Sequence, residues 1–157
     1  MEQQQEHRVE VVHEPAREVA VRRFEVDLAS MGEQMGPAFE RVASYLARRG
    51  VALTGSALAH YTVRADGMEA AAGFEVTDAF EGGDGVEWFV LPEVDAVTTV
   101  HAGPYERLAE AYAEVRAHAA SIGRVLDESQ MWEEYLTGPE TPPDQVRTRV
   151  VWPLRAA

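Results

Sequence analysis

An internal repeat is the feature that most constrains the fold of this chain, because the order strand, helix, strand, strand occurs twice along it. Each copy contains a helical pattern that ends at a glycine, Gly50 in the first copy and Gly123 in the second. A strand pattern follows each helix, at residues 57–63 and at residues 131–136. Chance similarity between two α/β stretches is the alternative.

The repeat predicts one α+β domain and its internal division. A polar, flexible tail is expected over residues 1–8, followed by a single domain over residues 9–154. Within it the first repeat spans about 9–80 and the second about 86–154. A length of 157 residues suits one hydrophobic core.

Composition limits the classes of function. The net charge of −13 repels phosphate backbones, so direct DNA binding is not expected, whereas cationic solutes are attracted. Solubility alone also explains such a charge. Cysteine is absent, which excludes disulfides and thiolate metal sites, and no membrane span or signal peptide is recognisable. We therefore predict a cytoplasmic protein that does not bind membranes.

Common catalytic and cofactor motifs are missing from the sequence. The five histidines show no metal-ligand spacing, and no Gly-x-Ser-x-Gly elbow occurs. The segment Gly82-Gly83-Asp84-Gly85 is too short and too acidic to hold a phosphate, and its pattern predicts a loop between the repeats. No metal and no cofactor are predicted.

The second repeat carries a set of spaced motifs. They are Gly103-Pro104-Tyr105, Trp132-Glu133-Glu134-Tyr135, Gly138-Pro139-Glu140-Thr141-Pro142 and Trp152-Pro153-Leu154. With them the sequence resembles the GyrI-like (gyrase-inhibitor-like) small-molecule-binding family, the effector-binding domain of bacterial multidrug-responsive transcription regulators of the AraC and MerR types. The resemblance implies duplicated β-α-β-β units with pseudo-twofold symmetry, an antiparallel sheet with two helices on one face, and a ligand groove between the repeats.

The resemblance also implies a binding site. Family members bind bulky, often aromatic and cationic compounds, and the acidic residue that faces the ligand corresponds to Glu133. Side chains alternate along a strand, so Glu133 and Tyr135 share one face and Trp132 lies on the other. The repeat places Tyr61 at the position equivalent to Tyr135. The predicted ligand-binding residues are Glu133, Tyr135, Tyr61, Trp132, Trp88 and Tyr105.

Structural roles are the alternative for each of these candidates. Glu133 is then a solvated strand residue, the tyrosines are ordinary sheet packing, and Tyr105 packs at the start of a helix. Trp88 and Trp132 fit a hydrophobic core as well as a groove.

Three functions are compatible with this sequence. The leading one is a binding protein for a drug-like or secondary-metabolite molecule, aromatic and cationic or amphipathic, that acts in sensing or sequestration. The second is a small-molecule hydrolase with Glu133 as general base. The third is an inhibitor of a protein partner by acidic mimicry of nucleic acid. The regulators carry a DNA-binding helical domain that has no counterpart before the first strand here, so a regulator or another protein partner would act in trans.

Overall fold

The computed structural model describes residues 8–138 and 140–156, and it has the predicted α+β character. The strands are β1 (Glu10–Glu14), β2 (Arg17–Glu25), β3 (Leu53–Arg64), β4 (Gly67–Val76), β5 (Glu87–Leu91), β6 (Val94–Ala102), β7 (Gln130–Tyr135) and β8 (Arg147–Pro153). The helices are α1 (Met31–Arg49) and α2 (Leu108–Ser121). Neither of these described helices is both long and apolar enough to cross a membrane.

The chain divides into two compact units, and each has the same internal order. In residues 15–93 the elements β2, α1, β3 and β4 follow one another along the chain, and their strands form an antiparallel sheet with β5 in the order β3-β4-β2-β5. In the other unit β6, α2, β7 and β8 follow one another, and their strands form an antiparallel sheet with β1 in the order β7-β8-β6-β1. The twofold occurrence of strand, helix, strand, strand is therefore present in the structure.

The strands β1 and β5 differ from the linear division of the sequence at 9–80 and 86–154. Strand β1 pairs with β6 and belongs to the unit of residues 94–156, whereas β5 pairs with β2 and belongs to the unit of residues 15–93. Pro15 and Pro92 separate β1 and β5 from the strands that follow them. Each proline stands just beyond the last residue of its strand and has no backbone N–H to continue a ladder. Most of the predicted tail, residues 1–7, lies outside the described residues.

The unit of residues 15–93 has its core between α1 and its sheet. Val42, Tyr45 and Leu46 of α1 are buried against Ala20 and Val76. Helix α1 ends as predicted at Gly50, whose φ of +70° is a left-handed conformation that glycine adopts without a Cβ penalty.

The other unit packs α2 on its sheet. The buried residues of α2 recur at helical spacing, Leu108, Ala111, Val115 and Ala119, and they pack with Val97, Val150 and Trp152. A 3-10 turn over Tyr105–Arg107 precedes the helix, and Ile122, which follows the last helical residue, is 43% exposed.

Candidate functional site

Glu133 stands on the face of its sheet that packs against α2. It pairs across the strands with Val150, which pairs in turn with Thr99 of β6. Residues directly opposite one another in neighbouring strands share a face. Val150 belongs to the core formed with α2, so this whole row faces the helix.

A second polar row lies beside the first on the same face. Tyr135 pairs with Thr148, and Thr148 pairs with His101. Thr148 and His101 are buried, and Tyr135 is partly buried. The two rows place a carboxylate, a phenol, an imidazole and hydroxyl groups next to the apolar core residues that pack against α2.

The Glu133 carboxylate is buried and receives two hydrogen bonds from tyrosines. Its exposed fraction is 3%. The Tyr135 hydroxyl donates to Oε1 at 2.9 Å, and the Tyr112 hydroxyl, which comes from α2, donates to Oε2. Within residues 8–138 and 140–156, no arginine or histidine forms an ion pair with this carboxylate, in contrast to many acidic residues of the chain.

Burial raises the pKa of Glu133 above its ordinary value of 4.5. A charged carboxylate loses its hydration there, and the hydrogen bonds from Tyr112 and Tyr135 offset only part of that loss. The site therefore holds a carboxylate with two hydrogen-bond donors and, in the described part of the chain, no paired cation, which is an environment that favours binding of a cation or a proton.

Tyr105 forms the outer edge of this group. Its ring meets Tyr135 edge to face with 5.9 Å between the ring centroids, and 47% of the residue is exposed. Burial of its inner part, together with the charge of Glu133, raises the pKa of the Tyr105 hydroxyl. Tyr105 thus connects the buried carboxylate with the solvent-facing side of the unit.

The turn before Tyr105 is fixed by its backbone. Gly103 has a φ of +124°, which residues with a side chain rarely adopt, and its N–H donates to the Val146 carbonyl at 2.9 Å. The His101 ring nitrogen Nε2 lies 3.2 Å from the Pro104 carbonyl oxygen. The Gly-Pro-Tyr motif therefore positions Tyr105 over the strands that carry the polar rows.

Trp132 and Glu134 lie on the opposite face of β7, as strand alternation predicts. Trp132 is fully buried. Glu134 accepts a hydrogen bond from Arg149 at 3.4 Å, and Arg149 also pairs with Glu14 of β1 at 2.5 Å. The adjacent glutamates thus differ in their surroundings: Glu134 has a cationic partner and Glu133 has two tyrosines.

The remaining candidates, Tyr61 and Trp88, belong to the unit of residues 15–93. Tyr61 is 8% exposed on β3, and Trp88 on β5 donates its indole N–H to Glu18 at 3.1 Å. The structure brings together Glu133, Tyr135 and Tyr105 within one unit. The roles of Tyr61, Trp88 and Trp132 as ligand contacts stay predictions.

Tyr112 was not among the predicted site residues. Along α2 it follows Leu108 at four residues, which is the spacing of an ordinary core position. Its ring packs edge to face on Trp152 with 5.9 Å between centroids, and its hydroxyl reaches Glu133. A tyrosine in place of a purely apolar residue at a core-facing helix position is the only sequence signal for this contact.

The raised pKa of Glu133 predicts a pH-dependent stability difference between the wild type and Glu133→Gln. The folded state binds this proton more tightly than the unfolded state does. The group's contribution to stability is therefore complete below the ordinary pKa and is lost as pH rises through the raised value. We expect Glu133→Gln to unfold at a higher temperature than the wild type at mildly alkaline pH, with a difference that shrinks in acid.

Thermal unfolding of both proteins across this pH range measures the difference. Glu110→Gln is the matched control, since it makes the same change of net charge at an exposed position of α2. A wild type that is more stable than Glu133→Gln at alkaline pH would contradict the expectation.

Comparison with known proteins places this geometry in a family. The sequence matches the GyrI-like small molecule binding domain over residues 7–155. No curated protein matches it. Among solved structures, the EcmrR C-terminal domain is similar with a TM-score of 0.79 and 20% identity, covering 96% of this chain and 99% of that one. In a complex of EcmrR with DNA, this chain spans 59% of the EcmrR chain.

Two further structures share the fold. A hydrolase from Listeria innocua has a TM-score of 0.72 and 14% identity, with 96% of this chain and 93% of that one covered. SAV2435 bound to tetraphenylphosphonium has a TM-score of 0.61 and 11% identity, with 94% of this chain and 95% of that one covered. The family match spans nearly the whole sequence, and the fold agrees with it. This chain belongs to the family of GyrI-like small-molecule-binding domains.

Proposed function

We propose that this domain binds a lipophilic aromatic cation, for sensing or sequestration, with Glu133 as the counter-charge. The observation that carries the proposal is the state of the Glu133 carboxylate. It is 3% exposed, and both of its oxygens accept hydrogen bonds from tyrosines. No cationic side chain among the described residues pairs with it.

The energetics of burial favour a cationic ligand. A carboxylate removed from water without a partner is costly, and a cation that enters beside it recovers part of that cost. The rings of Tyr105, Tyr112 and Tyr135 lie around the same carboxylate. Tyrosine faces attract cations and offer flat apolar contact, so an aromatic, weakly hydrated cation fits better than a small hydrated one.

Two further facts support this ligand class. The net charge of −13 enriches cations around the protein at low ionic strength. The similar fold of SAV2435 holds tetraphenylphosphonium, which is a bulky aromatic cation. Both facts favour a positively charged ligand.

A direct titration tests the proposal. Tetraphenylphosphonium and 4-phenylbutyl-trimethylammonium serve as cations, and the neutral isostere of the second carries a tert-butyl group in place of trimethylammonium. Trp152 is a suitable fluorescent reporter because its ring contacts Tyr112. We expect the ammonium compound to bind at least about ten-fold more tightly than its isostere, which corresponds to about 1.4 kcal/mol. Equal affinities, or no binding of either cation, would rule the proposal out.

Hydrolysis of a bound ligand is the second candidate. A carboxylate with a raised pKa is a better proton acceptor from water than an exposed one, and Glu133 has that property. The similar fold of the Listeria innocua hydrolase points in the same direction. Mass spectrometry of a bound reactive ligand, with wild type and Glu133→Gln, distinguishes turnover from binding. Unchanged ligand mass with the wild type would leave binding alone.

A cytoplasmic location, the lack of DNA binding and a protein partner in trans stay predictions. Each follows from composition or from the family resemblance.

A further inference from the structure

Two buried threonine hydroxyls lie on the same sheet face as Glu133 and lack hydrogen-bond partners. The Oγ1 atoms of Thr99 and Thr148 have no partner among the described residues. Thr99 is 2% exposed and Thr148 is fully buried. A buried hydroxyl without a partner costs free energy, and such groups are uncommon in folded proteins. Two of them on one face therefore call for a physical explanation.

The strand register relates the hydroxyls to the carboxylate. Thr148 pairs with Tyr135, which places it diagonally across from Glu133, and Thr99 is diagonal to Thr148. Diagonal neighbours in an antiparallel pair are separated by roughly 7–8 Å between Cα atoms. The two threonines are thus diagonal neighbours on one sheet face, and Thr148 is a diagonal neighbour of Glu133 on the same face.

Core packing alone does not account for threonine at these positions. The row next to them on the same face, Val97 and Trp152, is apolar and contacts α2. Valine has the shape of threonine without the polar group, and it occurs at Val150 between Thr99 and Glu133. A ligand that supplies a hydrogen-bond acceptor would satisfy both hydroxyls, and it would account for threonine at these two positions.

We propose that Thr99 and Thr148 form a polar subsite for an oxygen of the bound cation. The ligand class is then a lipophilic cation that carries a carbonyl or similar acceptor oxygen roughly 5–8 Å from its charged atom, in keeping with the strand spacing. One carbonyl oxygen has two lone pairs and accepts from both hydroxyls. This inference rests on the proposed function, since the cation at Glu133 fixes where the oxygen lies.

Two matched ammonium ions test the subsite. They are 4-oxo-4-phenylbutyl-trimethylammonium, which carries a ketone, and 4-phenylbutyl-trimethylammonium, which differs by lacking it. We expect the wild type to prefer the ketone by about three- to ten-fold, the usual net effect of one or two neutral hydrogen bonds. Thr148→Val and Thr99→Val should each reduce that preference while leaving the affinity for tetraphenylphosphonium within about two-fold.

Three variants control for indirect effects. Thr98→Val makes the same substitution on the opposite face of β6 and should preserve the preference for the ketone. Thr148→Ser and Thr99→Ser keep the hydroxyl groups and should retain most of that preference. The valine variants should be at least as stable as the wild type, because they remove buried hydroxyls without partners.

The outcomes separate the subsite from the cation site. Binding of tetraphenylphosphonium without any preference for the ketone would overturn the subsite and leave the proposed function intact. A preference that survives in both valine variants would also overturn it, as would an equal loss of affinity for all three cations. Failure of all three cations to bind the wild type would refute the proposed function, and the subsite with it.

Discussion

Glu133→Gln is expected to weaken the binding of tetraphenylphosphonium by roughly 30- to 100-fold, at the lower end of what loss of one partner from a buried charge pair costs. The substitution keeps the size of the side chain. One tyrosine hydroxyl can donate to the amide oxygen and the other can accept from the amide NH2, so Tyr112 and Tyr135 both retain hydrogen-bonding partners. What disappears is the negative charge. The neutral tert-butyl isostere should bind the variant and the wild type within about two-fold of each other. Parallel titrations of both ligands measure the change.

The pH dependence of cation binding provides an independent check on the same residue. Because burial raises the pKa of Glu133, an arriving cation must meet a carboxylate that competes with a proton. Affinity for tetraphenylphosphonium, which does not titrate, should therefore rise with pH above the ordinary value of 4.5 and level off once Glu133 is ionised.

The variants should differ in this profile. Glu133→Gln should bind with a flat profile, whereas Glu110→Gln on the exposed side of α2 should follow the wild type. If Glu133→Gln kept the wild-type affinity and the wild-type pH profile, the counter-charge would have to be a different residue.

The sequence was sufficient to predict the part of the site that depends on one strand. Alternation along β7 places Glu133 and Tyr135 on one face and Trp132 on the other, and the hydrogen bond between Glu133 and Tyr135 agrees with it. The repeat order and the end of α1 at Gly50 were also predicted, because both depend on local periodicity and on one glycine.

The parts that depend on contacts between elements were not predicted. Tyr112 reaches Glu133 only because α2 packs on the sheet that contains β7. The assignment of β1 and β5 to their units follows from pairing between distant segments. The buried hydroxyls of Thr99 and Thr148 are a property of register and burial together. A single sequence contains the residue types but not the register that makes them neighbours.

The contrast between Glu133 and Glu134 gives the site its chemical character. Both carboxylates are buried and adjacent in sequence, but Arg149 satisfies only Glu134. A carboxylate with a permanent cationic partner gains little from a ligand cation, because its charge is already compensated. Among the described residues, Glu133 therefore differs from Glu134 in having no paired arginine, and the proposed binding of a cation depends on this difference.

Arg149→Met is expected to destabilise the protein by about 3 kcal/mol, the lower end of the range for breaking a buried ion pair. The side chains of Glu14 and Glu134 are each 8% exposed, and that of Arg149 is 22% exposed. Removal of the guanidinium leaves two carboxylates buried without the cation that joins them. Chemical denaturation at neutral pH measures the free energy of unfolding.

Two further variants decide whether charge or packing causes this loss. Addition of Glu14→Gln and Glu134→Gln to Arg149→Met should recover much of the stability at neutral pH, because the two buried negative charges are then removed together with the positive one. Arg48→Met breaks an exposed pair with Asp84, whose side chains are 64% and 59% exposed, and should change stability by about 0.5 kcal/mol or less. If the combined variant were no more stable than Arg149→Met, lost packing would account for the effect. Recovery would instead show that Arg149 stabilises this unit by neutralising Glu14 and Glu134.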